Sequence, residues 1–154
     1  LLRTTVVRVR TPLDLDAMNE AAAGLVGLHN FAAYCRRRKG ASTIRTLLEC
    51  HASRVASGPL AGVIEVELRA DAFCHSMVRS LVGALREVGS GRRPRDWPAS
   101  LLNLTERAGG VPVLYPNGLV LEEVRYPADD QLAERSLVAR ARRDEPECDC
   151  LEET

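Results

Sequence analysis

The stretch Val63-Ile64-Glu65-Val66-Glu67-Leu68-Arg69-Ala70 runs directly into Asp71-Ala72-Phe73-Cys74-His75-Ser76-Met77-Val78-Arg79-Ser80-Leu81-Val82-Gly83-Ala84-Leu85-Arg86-Glu87-Val88. Its hydrophobic period changes at the junction. From Val63 to Ala70 apolar and charged residues alternate, with Ile64, Val66 and Leu68 on one face and Glu65, Glu67 and Arg69 on the other, as in a half-buried strand. From Asp71 to Val88 the apolar residues Phe73, Met77, Leu81, Leu85 and Val88 recur at helical spacing, and Gly89-Ser90-Gly91 closes the run. A one-faced strand feeding an amphipathic helix reads as a helix packed on a sheet.

Upstream, Ser42 to Arg54 alternates as well. Ile44, Thr46, Leu48, Cys50 and Ala52 share a face, with Leu47 the exception. Gly58-Pro59 and Ala61-Gly62 supply a turn, so the two strands are expected to pair antiparallel. Thr11-Pro12 opens a helix expected to reach Leu28, and the preceding Leu1–Arg10 has the alternation of a strand end. Asp96-Trp97-Pro98 opens a further helix, Leu119–Tyr126 reads as another strand, and Asp130–Arg143 as a polar helix before an acidic tail. The fold class is α+β, a largely antiparallel sheet with helices on one face. Residues 1–127 form the lobe, and 128–154 a polar helix with a frayed end.

Composition narrows the function classes. At 154 residues, 45% apolar and 27% charged, the chain is an ordinary single globular domain. No apolar run approaches the ~20 residues that cross a bilayer, and the first residues do not form a signal peptide, so a cytoplasmic protein without membrane contact is expected. The net charge of zero conceals an asymmetry: residues 1–128 hold 17 basic and 12 acidic side chains, residues 129–154 hold 4 and 9. Two basic loops stand out, Arg36-Arg37-Arg38-Lys39 and Arg92-Arg93-Pro94-Arg95. Clustered arginine suits bidentate phosphate contact, which makes both loops candidates for RNA.

The five cysteines, Cys35, Cys50, Cys74, Cys148 and Cys150, are odd in number and are expected to be reduced thiols. Cys50-His51 and Cys74-His75 lack the CxxC or HxxxH spacing of zinc sites, so no metal is expected. Nor is there a Ser/His/Asp constellation, a GxGxxG after a strand or a phosphate-binding GxxxxGK loop. The residues by themselves describe an α+β domain with two arginine clusters.

A resemblance goes further. Arg69-Ala70 with Phe73 to Gly91 resembles a signature of the tRNA pseudouridine synthase A family, roughly R-A-x-x-F-L-x-x-M-V-R-x-x-V-G-x-L-x-x-V-G-x-G. Gly27-Leu28-His29-Asn30-Phe31 is similar to its G-x-H-D-F, with Asn30 in place of the usual Asp. Gly118-Leu119-Val120-Leu121, with Val124 and Tyr126-Pro127, is similar to its closing G-L-x-L-x-x-V-x-Y. The three motifs stand in the family's order.

The resemblance implies a two-lobed enzyme that binds tRNA in the cleft between its lobes. It would isomerise uridine to pseudouridine in the anticodon stem-loop (positions 38–40 of the tRNA) as a homodimer, without metal or organic cofactor. The family's nucleophilic aspartate lies in G-R-T-D-x-G-V-H-A, a string this sequence lacks. The chain is therefore expected to be the C-terminal lobe, inactive without its own N-terminal lobe. By resemblance Arg79 is the arginine that pairs with that aspartate, although helical periodicity sets it off the core stripe. Leu119 and Leu121 would line the uracil pocket and Phe73 would wall it, although core packing is the better reading of each side chain. His29 would contact RNA or order its loop. The other expectation is a non-catalytic RNA-binding or dimerisation module on the same fold.

Overall fold

A computed structural model describes residues 5–134 and 137. Three antiparallel strands, β1 (Gly27–Asn30), β2 (Ile44–Arg54) and β3 (Ile64–Ala70), form one sheet in the order β1-β2-β3. Helices α1 (Leu15–Ala23) and α2 (Met77–Gly89) pack together, α1 also lies on β2, and the short α3 (Trp97–Ser100) closes against both helices. The α+β class with antiparallel strands stands.

The core explains Leu47. Pairing runs Leu47↔Ala70 and then Glu49↔Arg69, so Leu48 is an extra residue in a bulge. The bulge resets the alternation, so Leu47, Cys50 and Ala52 are buried while Leu48 is exposed. They meet Met18, Ala21, Ala22 and Leu25 of the α1 region and Met77, Leu81, Leu85 and Val88 of α2 in one cluster. Phe31 and Tyr34 are completely buried there. The Tyr34 hydroxyl donates to the Pro98 carbonyl at 2.6 Å, and burial raises its pKa.

Two glycines set how closely the layers approach. A Cβ on Gly83 would collide with the Pro112 carbonyl, so the loop after α3 crosses α2 in direct backbone contact. A Cβ on Gly89 would lie 2.7 Å from Met18 Cγ, where the end of α2 meets α1. The Asp14 amide donates to the Gly89 carbonyl at 2.9 Å across the same contact.

Several boundaries differ from the sequence expectation. The first helix starts at Leu15, because Asp14 accepts from the Ala17 amide at 3.0 Å and takes the N-cap. It ends at Ala23, since Gly24 caps it and Gly27, at φ 120°, turns the chain into β1. The long helix starts at Met77 rather than Asp71. Asp71 instead accepts from the Thr46 and Ala72 amides, and Ser76 stands left-handed at φ 70° before the first turn. That conformation costs an L-residue about 1–2 kcal/mol.

The helix opened by Asp96 is a single turn followed by a 3-10 turn, Leu101–Asn103, and leaves Leu104 exposed. Residues 5–10 form no strand; residues 1–4 lie outside the described residues. Residues 119–126 form none either, and none of them pairs with β1, β2 or β3. Of the polar helix, a 3-10 turn at Asp129–Gln131 and helical residues 132–134 are described. Most of its remainder, and the acidic tail with Cys148 and Cys150, lie outside the described residues.

The reduced-thiol expectation is corrected for two cysteines. Cys35 and Cys74 are bonded as a disulfide with their Cα atoms 5.8 Å apart, within the range a bridge spans. Counting cysteines does not reveal which ones the fold brings together. Cys50 is free and buried, and burial pushes its thiol up to about 12.

Candidate functional site

Arg79, Phe73 and the base of the first basic loop lie around the first turns of α2. Arg79 is half-buried, not on a solvated face as its periodicity would have it. Its Nε donates to the Leu114 carbonyl at 2.7 Å, and the Leu114 amide returns a bond to the Arg79 carbonyl at 3.3 Å. The loop that Gly83 admits therefore holds the guanidinium in place. Among the described residues no carboxylate pairs with Arg79. A fixed guanidinium of this kind presents its remaining N–H groups to an incoming anion.

The neighbouring end of α2 meets the first basic loop. The Cys35–Cys74 bond ties the loop's base to the segment before α2, and the Arg36 amide donates to the His75 carbonyl at 2.9 Å. Phe73, 41% exposed, lines a cleft with Arg36 and Arg38. Among the described residues Arg36, Arg37, Arg38 and Lys39 make no side-chain hydrogen bond or ion pair.

The second basic loop differs. Arg92 lies across Glu87, Nε to Oε2 at 2.8 Å and Nη2 to Oε1 at 3.1 Å. Arg93 stacks on Trp97, 4.7 Å from the ring centre. Arg95 pairs with Glu20 of α1. Partial burial raises the Glu87 carboxyl, but hydrogen bonds from Arg86 and Arg92 outweigh it and hold the group below its ordinary range.

The remaining candidates are dispersed. His29 sits in β1, its ring hydrogen-bonded to the Val26 carbonyl at 3.0 Å and edge-on to Phe31. Asn30 beside it accepts from the Ala32 amide and the Thr43 hydroxyl, so its amide oxygen orders the turn into the basic loop. Leu119 and Leu121 are 52% and 76% exposed and do not line the Phe73 cleft. With Tyr115, Val120, Val124 and Tyr126 they form an exposed apolar run. Among the described residues no group of His, Cys, Asp and Glu is placed to hold a metal ion, and no helix is long and apolar enough to cross a membrane.

Sequence reasoning missed Leu114, the carbonyl that fixes Arg79, and Arg45, which joins the Phe73 cleft. A backbone acceptor leaves no mark in a sequence, and Arg45 stands in an alternating strand pattern with no motif to single it out.

Fold and site together define an α+β lobe that carries an arginine held by a backbone carbonyl and a basic loop whose side chains have no partner among the described residues. A family model described as tRNA pseudouridine synthase matches residues 21–127. A tRNA pseudouridine synthase A of Cutibacterium acnes is 55% identical over 141 residues, covering 92% of this chain and 50% of that protein. Proteins of the same name from Streptomyces griseus and Streptomyces avermitilis are 55% and 53% identical, covering 90% and 97% of this chain. The chain belongs to the tRNA pseudouridine synthase family. It spans about half the length of the curated relatives it matches.

Proposed function

We propose that this chain is the C-terminal half of a tRNA pseudouridine synthase, an RNA isomerase whose nucleophilic aspartate is supplied by an N-terminal lobe. The observation that carries the reading is Arg79, anchored through Nε to the Leu114 carbonyl with no carboxylate partner among the described residues. An aspartate docked beside that guanidinium stays ionised, its pKa lowered by the neighbouring positive charge. An ionised carboxylate is what a group attacking the ribose or the uracil requires. The exposed apolar run from Tyr115 to Tyr126 is the face we assign to the N-terminal lobe. Leu119 and Leu121 then become pocket walls on docking, which their present exposure permits.

The substrate is a uridine of the tRNA anticodon stem-loop. It must leave its stack to react, at a cost of a few kcal/mol that is smallest where pairing is already absent. Arg36, Arg37, Arg38 and Lys39 hold the RNA backbone, with Arg92, Arg93 and Arg95 contributing less because each already has a partner. The reading includes a homodimer working in the cytoplasm without metal or organic cofactor.

The test is tritium release from C5-tritiated uridine in tRNA, run on this chain and on the same chain joined to its upstream lobe. Release from the longer form alone is the expected result. Release from this chain alone would make one of its own carboxylates the nucleophile and overturn the assignment of Arg79. No release from either, with salt-sensitive tRNA binding retained, would leave a non-catalytic RNA-binding module. In the two-lobed protein Arg79→Ala abolishes turnover while tRNA affinity stays near the unaltered value.

A further inference from the structure

The residues that line the cleft beside Phe73 do not include Arg79. It occupies about 150 Å3 between the loop after Cys35, the start of β2 and the segment before α2. Arg36, Arg38, Arg45, His75 and Phe73 line it, and among the described residues no carboxylate does. That volume is below the ~300 Å3 of a typical small-molecule pocket, so it suits one phosphate-bearing unit.

Arg45 is the unusual member. One of its terminal nitrogens donates to the Ile44 carbonyl at 2.6 Å, which fixes the guanidinium at the cleft. Its Nε is buried with no acceptor among the described residues. A guanidinium kept partly out of water with no counter-charge among the described residues is costly unless an anion completes it. Arg36 and Arg38 add two further positive charges to the same wall.

The cleft is also preformed. The Cys35–Cys74 bond and the hydrogen bond from the Arg36 amide to the His75 carbonyl join its two sides, so a ligand need not order them. Phe73 presents an exposed aromatic side chain at the rim of this basic wall. Basic groups that hold a backbone beside an aromatic on which a base can stack are the recognition elements of single-stranded nucleic acid.

We infer that this cleft takes one unpaired nucleotide of the bound RNA, its phosphate against Arg36, Arg38 and Arg45 and its base stacked on Phe73. The inference rests on the proposed action on tRNA and adds a second contact, apart from the nucleotide at Arg79. Phe73 thereby leaves the uracil pocket and joins the basic loop.

The experiment uses the two-lobed protein and an anticodon stem-loop carrying 4-thiouridine at its unpaired positions. Irradiation followed by peptide mapping is expected to place a crosslink on the peptide containing Phe73. Phe73→Ala and Arg45→Ala should each weaken stem-loop binding roughly tenfold, while Phe73→Trp preserves it. Melting of each variant without RNA checks that the fold is intact, and Arg45→Lys, which keeps the charge, should recover part of the loss. Crosslinks confined to other segments, with both alanine variants binding and turning over as the unaltered protein does, would overturn the inference and leave the proposed function standing. Failure of the unaltered protein to bind the stem-loop would overturn both.

Discussion

The two basic loops are nearly the same string, Arg-Arg-Arg-Lys at 36–39 and Arg-Arg-Pro-Arg at 92–95, yet the fold treats them oppositely. Around the second, each guanidinium has a partner: Glu87 for Arg92, the Trp97 ring for Arg93, Glu20 for Arg95. These contacts pin the end of α2 to α1 and α3. Around the first, no side-chain partner is present among the described residues, and the loop's base is held instead by backbone, disulfide and the buried Tyr34. One loop is structural, and the other is positive charge on a rigid mount. A run of arginines in a sequence therefore predicts a potential only after its carboxylate and aromatic neighbours are known.

The largest expected effect separates the loops by RNA affinity. Replacing Arg36, Arg37, Arg38 and Lys39 together by alanine should weaken tRNA binding on the order of 100-fold at low salt. It should also make the slope of log affinity against log salt shallower by about 3, which a salt titration reads directly. The melting temperature should barely move. An unchanged salt slope would break the comparison.

The converse substitution comes next in size. Replacing Arg92, Arg93 and Arg95 by alanine removes two ion pairs and one cation–π contact, worth about 2 kcal/mol in all. Thermal unfolding should shift down by roughly 4 °C, with the salt slope of binding nearly intact. A shallower slope as large as that of the first variant would show that the second loop binds RNA as well.

A smaller effect tests the mount itself. Tyr34→Phe leaves the Pro98 carbonyl without its donor in a buried site and should cost about 1 kcal/mol of stability. Calorimetry measures it. Tyr34 lies immediately before Cys35, so affinity should fall less than in the loop variant, since no charge is lost.

Much of this was legible in the sequence, and the failures have physical causes. The switch of period after Ala70 gave the strand-helix pair, because burial of one face imposes alternation on a strand and a 3.6-residue repeat on a helix. Leu47, which breaks the alternation of β2, marked the bulge at Leu48 without locating it. Strand β1 was hidden because Leu25, Val26 and Leu28 continue the helical apolar pattern, and only the φ of Gly27 redirects the chain. The ordered motifs pointed to Arg79, but its partner is the carbonyl of Leu114, and backbone acceptors are the same for every residue type. The strand expected at 119–126 pairs with neither of the outer strands β1 and β3, and a single segment's pattern cannot show whether it meets a partner.

The smallest effect concerns Glu87, the residue that makes the second loop structural. Its folded-state pKa is lowered, since the Arg86 and Arg92 hydrogen bonds outweigh the opposing effect of burial. A carboxyl with a depressed pKa contributes its stability above the unfolded value, near the ordinary ~4.3, and loses it as pH falls through the folded value. The contribution is therefore complete at neutral pH and disappears on acidification below about pH 4. Glu87→Gln should lower stability at pH 7 by about 0.5 kcal/mol and flatten the acid limb of the stability curve. Denaturant melts across that range give both numbers. If the acid limb is unchanged in the variant, Arg92 owes its position to the turn at Gly91, with φ 73°, rather than to Glu87. The guanidinium would then be available to RNA, and the contrast between the loops would narrow to Arg93 and Arg95.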